Sequence, residues 1–237
     1  MRVIDVPAAA GGQWIKQAFA LLRAQPTTWI SLVSLWALIF LAILVVPVVG
    51  IPIASILMPG FCAGVMRACR EHEEGRPVSA GLLFSALRDN GRALVIAGSL
   101  LVFVKLGIMY FLMTLGFPAQ LPVDANNMID LQAYARMLQA NIGLVLLGMG
   151  LMSLVEGVFW FVPPLLAFHK MPSTHAIRWS FYAFIGNFPA LLVLGVLVSG
   201  LLVLAFLPWF LGLLVWAPLF VLSNYTSYQQ VFRDENP

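Results

Sequence analysis

Two charged residues stand inside long apolar stretches of the chain, and their types are the ones that could do chemistry there. Lys105 lies in the stretch from Ala93 to Leu115, and Glu156 lies in the stretch from Ile142 to Phe168. In helices that rise 1.5 Å per residue, each residue lies about 18 to 20 Å from the same boundary of the apolar layer. An ammonium and a carboxylate at equal depth on antiparallel neighbours can form an ion pair or relay protons.

Three interpretations of Lys105 and Glu156 stay open. The two residues can form a structural ion pair that holds neighbouring helices together. Alternatively, Lys105 extends toward the interface and Glu156 is protonated and bonded to nearby backbone. The third interpretation is an ion or proton pathway. A lone charge in hydrocarbon costs several kcal/mol, which favours pairing or a wet cavity over isolation.

No other residue pattern predicts a catalytic, cofactor or metal site. The segment His72–Glu74 lacks the HExxH spacing of zinc enzymes and is typical of a solvated charged turn. His169 and His175 have no cysteine or carboxylate near them in sequence, so a metal site there is not indicated. No serine or threonine has a neighbouring base, and no glycine loop suits a phosphate. We expect a protein without enzymatic activity, cofactor or resident metal.

Prolines and glycines inside the apolar stretches are the second set of candidate functional residues. Proline removes a backbone donor, so it kinks or breaks a helix, and broken helices can line a cavity. Two glycines have GxxxG spacing, which favours close packing of helices. The candidate helix-breaking or close-packing residues are Pro59, Gly60, Gly64, Pro163, Pro164 and Pro218.

The apolar stretches are long enough to cross a bilayer. Apolar residues make up 61% of the chain and charged residues only 10%, which does not suit a soluble globule. A hydrocarbon core about 30 Å thick needs about 20 apolar residues in a helix. We predict an all-α integral membrane protein with six transmembrane helices in three hairpins. The predicted spans are Trp29–Val46, Ile51–Met66, Ala93–Leu115, Ile142–Phe168, Phe188–Leu207 and Trp209–Asn224.

Basic residues flank the predicted spans on one side. Of the 13 lysines and arginines, all but Lys105 and Arg136 fall at the N-terminus, at the C-terminus or in the second and fourth connections. The positive-inside rule therefore places both termini in the cytoplasm. We interpret these residues as topology signals and contacts to anionic lipid headgroups, and we expect no nucleic-acid partner. A protein partner at the cytoplasmic face remains a further expectation.

An amphipathic stretch precedes each predicted hairpin. The first carries Trp14, and the others start at Ser79 and Ser173, each soon after a proline. A serine hydroxyl can accept a bond from a free N–H at a helix start. We expect these three helices to lie in the cytoplasmic headgroup plane. A further short helix is predicted in the outer connection 116–141.

The three predicted hairpins show weak sequence similarity to one another. We interpret residues 1–237 as one polytopic membrane domain with pseudo-repeat units at about 10–72, 77–171 and 172–230. Matches between the second and third units include Asn90 with Asn187 and Gly98 with Gly195. The alternative, that apolar helices resemble one another by composition alone, stays open.

Several polar and proline positions carry a resemblance to a known family. They are Val6-Pro7-Ala8, Pro59-Gly60, FWFVPPLLAFHKMPSTHA from Phe159 to Ala176, and SNYTSYQQVF near the C-terminus. In these positions the chain resembles an uncharacterised family of proteobacterial six-helix inner-membrane proteins. More remotely it is similar to the membrane domain of bacterial glycerophosphoryl diester phosphodiesterases. The resemblance implies a polytopic helical fold in the bacterial inner membrane. It implies no reaction, because these residues include no hydrolase domain.

Two functional hypotheses follow. The first is a non-enzymatic inner-membrane protein with a structural or accessory role in the cell envelope. The second is a small transporter or channel that uses the Lys105/Glu156 pair and the proline-broken helices. Against transport, four of the six predicted spans offer little polar lining.

Overall fold

The fold is seen in a computed structural model that describes residues 2–118, 122–123, 128–207 and 209–233. The polar residues Asp124, Asn126 and Asn127 of the predicted outer connection lie outside the described residues. So does Pro208 of the predicted tight turn between the fifth and sixth spans.

Most of the described residues are helical. The elements are β1 (Arg2–Val3), α1 (Ala10–Ala24), α2 (Pro26–Leu44), α3 (Gly50–Glu73), α4 (Leu82–Thr114), α5 (Leu131–Ala140), α6 (Ile142–Phe159), α7 (Val162–Phe168), α8 (Ser173–Gly186), α9 (Phe188–Phe206), α10 (Leu213–Val231) and β2 (Phe232–Arg233). The strands β1 and β2 pair antiparallel, with Val3 opposite Phe232. The prediction of an all-α architecture is confirmed apart from this two-residue ladder.

Five helical segments among the described residues are long and apolar enough to cross a membrane. They are Pro26–Leu44, Gly50–Glu73, Leu82–Thr114, Ile142–Phe168 and Phe188–Phe206. Each overlaps one of the first five predicted spans. The last of the six predicted spans is not among them.

Helix α10, which corresponds to the sixth predicted span, differs from that span in its bounds and its composition. The sequence predicts Trp209–Asn224, but the helix begins at Leu213 and continues to Val231. Its second half is rich in serine, threonine, asparagine, tyrosine and glutamine. The residues from Leu219 to Tyr228 except Phe220 are nevertheless buried. Tertiary packing therefore extends this helix through a segment that the apolar pattern excludes.

The described chain forms two compact units. Unit 1 comprises residues 1–99 and 158–237, and unit 2 comprises residues 100–157. Helices α4 and α6 each contribute to both units. The predicted division into three repeats stays a prediction.

Small residues line the buried faces of unit 1. In α8 the buried residues are Ser173, Ala176, Ser180 and Ala183, while Phe181 and Ile185 are exposed. The large apolar residues at helical spacing in this segment, Ile177, Phe181, Phe184 and Ile185, are therefore not its buried face. Small residues let helix backbones approach each other closely, whereas large apolar residues are stable against lipid.

The amphipathic helix α1 directs its tryptophan into unit 1. Trp14 and Ala18 are fully buried. The indole Nε1 of Trp14 donates to Gln230 Oε1 at 2.5 Å, and its carbonyl accepts from the Thr226 hydroxyl at 3.0 Å. A Cβ on Gly11 would lie 2.8 Å from the backbone nitrogen of Leu194, so α1 also packs closely on α9. The Trp14 face of α1 is therefore packed within unit 1, and the headgroup-plane position of this helix stays a prediction.

The second predicted amphipathic helix is joined to the third span. Helix α4 begins at Leu82 and has a kink at Asn90, whose backbone is non-helical (φ −136°, ψ 30°). The Asn90 side-chain amide donates to the carbonyl of Leu166 at 3.2 Å, which ties the kink to α7. A helix starts at Ser173 as predicted, but its hydroxyl does not cap that helix. It donates instead to the Ala93 carbonyl at 2.7 Å.

Unit 2 contains the short helix that the sequence predicts in the outer connection. Helix α5 begins after Asp130, whose carboxylate accepts from the backbone N–H groups of Gln132 and Ala133 at 2.9 and 3.0 Å. This is ordinary N-capping, which compensates for missing helical partners. Leu131 and Met128 near this start are largely exposed.

Candidate functional site

The structure brings Lys105 and Glu156 together in unit 2. Lys105 Nζ donates to Glu156 Oε1 across α4 and α6, and the two groups form a salt bridge. The pair is not enclosed, because the side chains are 33% and 55% exposed, respectively. Of the predicted interpretations, pairing is the one that this arrangement supports. A role in stability or in transport stays a prediction.

The register of α4 against α6 positions this pair. A Cβ on Gly148 would lie 2.8 Å from Leu112 Cδ1, so Leu112 packs directly over the bare backbone of Gly148. Leu112 follows Lys105 by seven residues, and Gly148 precedes Glu156 by eight. In antiparallel helices, nearly equal steps in opposite directions lead from one contact to the other, so the Leu112–Gly148 contact and the ion pair are compatible with one register of α4 against α6.

The polar side chains buried in unit 1 form a second candidate region, which the sequence reasoning did not identify. We call it the polar core; it consists of Ser173, Ser180, Asn187, Ser223, Asn224, Thr226 and Ser227. Each of these side chains makes at least one hydrogen bond within the protein. Only the Oδ1 atom of Asn224 has no partner among them.

The second half of α10 contributes most of the polar core. Asn224 Nδ2 donates to the carbonyl of Trp160 at 2.6 Å, and the Trp160 indole donates to the Ser227 hydroxyl at 2.9 Å. These bonds fix the non-helical step at Trp160–Phe161 between α6 and α7. Ser180 of α8 donates to the Val158 carbonyl at 2.5 Å and accepts from the Phe161 N–H at 3.1 Å. One sequence feature could have indicated this polar core: the polar run SNYTSYQQ, which directly follows an apolar segment.

Asn187 joins the N-terminal strand to the junction of α8 and α9. Its Oδ1 accepts from the Val6 N–H at 2.8 Å. Its Nδ2 donates to the carbonyls of Ile4 and Ala183, both at 3.1 Å. The side chain is completely buried. One amide therefore satisfies three backbone groups, two of which are more than 180 residues away in sequence.

Arginines of α3 make specific contacts in unit 1. Arg67 forms a salt bridge with Asp89 at 2.5 Å and donates to the Ala167 carbonyl at 3.1 Å. The guanidinium of Arg70 lies 3.6 Å from the ring centroid of Phe168, a cation–π arrangement. These two arginines therefore connect α3 to α7. Their role as topology signals stays a prediction.

The predicted solvated turn after the second span makes further contacts. Glu73 accepts from the Tyr225 hydroxyl at 2.6 Å and from the Gln229 amide at 2.7 Å. The Tyr225 phenol is therefore the donor in this bond. His72 packs edge-on against Trp29, with ring centroids 5.6 Å apart.

The candidate glycines form a close helix contact in unit 1. A Cβ on Gly64 would lie 2.7 Å from Leu83 Cα, and one on Gly60 would lie 2.6 Å from Leu87 Cγ. On the opposing helix, a Cβ on Gly98 would lie 2.8 Å from the Ile56 carbonyl carbon. The GxxxG spacing in α3 therefore meets α4, as close packing requires. Gly98 is the glycine of α4 that packs against α3. From the sequence it was identified only as a match to Gly195 between the second and third repeat units.

The candidate prolines have different local effects, and all lie in unit 1. Pro59 and Pro218 are buried inside α3 and α10, which remain helical through them. Pro163 and Pro164 occupy the first turn of α7, directly after the step at Trp160–Phe161. Only the Pro163-Pro164 pair accompanies an actual break, and hydrogen bonds of the polar core hold that break in place.

Metal ligands do not cluster in the part of the chain that the structure describes. No group of three or more histidine, cysteine, aspartate or glutamate side chains there could hold a metal ion. His169 Nε2 instead lies 2.9 Å from the Tyr228 hydroxyl, at hydrogen-bond distance.

The comparisons with known proteins point to the inner membrane. The chain is 28% identical over 209 residues to a probable inner membrane protein of Burkholderia thailandensis, covering 83% of this chain and 75% of the relative. No family model matches the sequence. No solved structure matches it. The resemblance to the phosphodiesterase membrane domain stays a prediction. With its five long apolar helices, the chain is a helical multi-pass membrane protein similar to a probable bacterial inner membrane protein.

Proposed function

We propose that this chain is a non-enzymatic structural or accessory protein of the bacterial inner membrane. Six helices cross the bilayer as three hairpins, with α10 as the sixth span. Both termini and the preceding amphipathic helices are cytoplasmic, where basic residues contact anionic headgroups and a protein partner is accommodated.

The observation that carries this proposal is the internal bonding of the polar core. All seven buried polar side chains of unit 1 bond to the protein itself, mostly to backbone groups. Catalytic or transport sites need polar groups that converge on a substrate, and such groups are often left open to it. Polar side chains that bond within the protein instead favour one fixed arrangement of helices. A rigid platform is the function that suits this interior.

A small transporter or channel is the second candidate, and one observation favours it. Lys105 and Glu156 carry charges in the middle of apolar stretches, and both side chains remain partly exposed in unit 2. Ionisable residues inside spans commonly mark ion or proton pathways. A pathway through this pair would leave the polar core as its supporting scaffold.

Reconstitution into liposomes distinguishes the two candidates. Purified protein is inserted into vesicles that contain a pH-sensitive dye, and proton flux is measured under an imposed potential. For a structural protein we expect the same flux as in protein-free vesicles, for the wild type and for Glu156→Gln alike. A wild-type flux that Glu156→Gln abolishes, with its unfolding midpoint unchanged, would replace the accessory role with transport. Glu74→Gln is the matched control, because Glu74 lies outside the described apolar helices.

Reporter fusions test the arrangement in the membrane. Alkaline phosphatase is fused after Gly116 and, separately, after Arg233. We expect activity only at the first site, since that enzyme is active only outside the cytoplasm. An active fusion after Arg233 with an inactive one after Gly116 would invert the orientation. Activity at both sites would remove the sixth span and leave the five helices that meet the length and apolarity criteria.

A further inference from the structure

Because the Lys105–Glu156 pair is exposed in unit 2, the charges need contact with protein or water from outside that unit. The two side chains are 33% and 55% exposed in unit 2, on helices whose length and composition suit a membrane. Lipid chains cover exposed apolar residues without difficulty. They cannot solvate an ammonium or a carboxylate, so charges at this depth require contact with protein or water.

The exposed face of α6 beside Glu156 has the features of a helix-packing surface. Leu146, Met149, Ser153 and Glu156 follow one another at spacings of three, four and three residues, so they share a face, and all are exposed. Gly150 lies on the same face, and a Cβ there would meet nothing within 4 Å. Small residues around a polar group are typical of contacts between transmembrane helices, because they permit close approach and hydrogen bonding.

We propose that a second copy of this chain covers this face, with Lys105 of each copy bonded to Glu156 of the other as well as to its own. The charges themselves favour this occupant. A surface that presents one cation and one anion is self-complementary about a two-fold axis, because the cation of each copy faces the anion of its partner. An axis along the membrane normal also keeps both copies at the same depth. Lys105 and Glu156 satisfy that condition, since they already meet each other within one copy.

The resulting site contains four alternating charges at the interface between the copies. Each ammonium has three donors and each carboxylate accepts several bonds, so every group can bond two opposite charges. The apolar residues around them complete a contact that excludes lipid from the charges. This inference concerns assembly, and it holds for an accessory protein or for a transporter provided that unit 2 lies in the bilayer.

Cysteine cross-linking in native membranes tests the interface without disturbing the charges. Ser153→Cys places a thiol on the proposed contact, and Phe103→Cys places one on a 73% exposed position about 200° around α4 from Lys105. We expect oxidation to convert most of the Ser153→Cys protein into a dimer. Phe103→Cys and the wild type should show no cross-linked dimer; the wild type controls for the native Cys62 and Cys69. Equal cross-linking of both variants, or none with Ser153→Cys, overturns the proposal.

Complementary charge variants test whether the pair acts between copies. Lys105→Glu leaves two acidic side chains in one copy, and Glu156→Lys leaves two basic side chains. When differently tagged copies of the two variants are co-expressed, we expect mixed dimers to be recovered several-fold more than dimers of either variant alone. A pair that acts only within one copy gives no such preference. If mixed capture equals self-capture while Ser153→Cys fails to cross-link, the second copy is excluded. Another occupant then covers the face.

Discussion

Unit 1 and unit 2 place their polar side chains in opposite ways. In unit 1 the polar core is buried and bonded to backbone groups, many of them far away in sequence, as with Asn187 and Ile4. In unit 2 the two charges bond to each other at an exposed surface. Bonded, buried polar groups specify one packing of helices. If α4 and α6 cross the bilayer there, such an exposed pair requires contact with protein or water.

Particular glycines differ in their surroundings in a similar way. In unit 1, Gly64 and Gly98 lie against the backbone of the facing helix, and no side chain fits there. In unit 2, a Cβ on Gly107 or Gly150 would meet nothing within 4 Å. The contact between α3 and α4 is therefore tight, whereas the helix surfaces at Gly107 and Gly150 are open.

The largest expected effect comes from the centre of the polar core. Asn187→Leu keeps the number and branching of the side-chain heavy atoms but removes the partner of the Val6 N–H and of the Ile4 carbonyl. The Ala183 carbonyl still accepts from the backbone N–H of residue 187. Unsatisfied buried groups cost roughly 1–3 kcal/mol each, so we expect a loss of about 3 kcal/mol in the free energy of unfolding. Unfolding titrations in mixed micelles measure this change. The control is Asn141→Leu, whose amide bonds only locally to Met137. Equal losses in the two variants would contradict the contrast between the units.

Adding a methyl group at a closely packed glycine should lower the free energy of unfolding by somewhat less. Gly98→Ala forces the Ile56 carbonyl away from α4, and overpacking of this kind costs about 1–3 kcal/mol. The matched change in unit 2 is Gly107→Ala on the same helix, where we expect no loss and a gain of up to about 1 kcal/mol from helix propensity. The same unfolding titration compares them. A stable Gly98→Ala variant would show that α3 and α4 are not closely packed there.

Removing one charge of the pair should be worse than removing both. Lys105→Met leaves Glu156 without its cation, whereas Lys105→Met with Glu156→Met leaves an ordinary apolar surface. A single removal from a desolvated pair is destabilising, but replacement of both charges is often neutral. We expect the single variant to lose about 1–2 kcal/mol and the double variant to recover most of it. If the two variants are equally stable, the pair is solvated by water, which favours a pathway.

The smallest effect is expected at the exposed end of α3. Tyr225→Phe removes the phenol that donates to Glu73 but keeps the ring beside Phe168. Because Glu73 is exposed and also accepts from Gln229, we expect a loss below about 1 kcal/mol. A loss as large as that of Asn187→Leu would make this contact part of the polar core.

Predictions from the sequence were correct where they depended only on residues within one helix. Runs of apolar residues predicted five segments that the structure forms as long apolar helices. The helix start at Ser173 and the short helix after Asp130 were also correct, since both follow from local signals. Equal depth suggested that Lys105 and Glu156 could meet, because depth depends only on residue counts.

The sequence was less informative about which residues of other helices a given side chain contacts. The Ser173 hydroxyl bonds to Ala93 and does not cap its own helix. The sequence did not show that small residues occupy the packed side of α8. Nor did it show that Trp14 is buried against α10.

By itself, the sequence determined that the chain is helical, apolar and charged mainly at the ends of its long helices. These properties follow from composition and spacing, which act over one or two turns. Only the tertiary structure decided that the polar run after Leu222 is buried and helical, and which backbone groups Asn187 and Asn224 satisfy. The physical reason is that a hydrogen bond needs a specific partner at about 3 Å. Sequence separation gives no measure of that distance between residues on different helices.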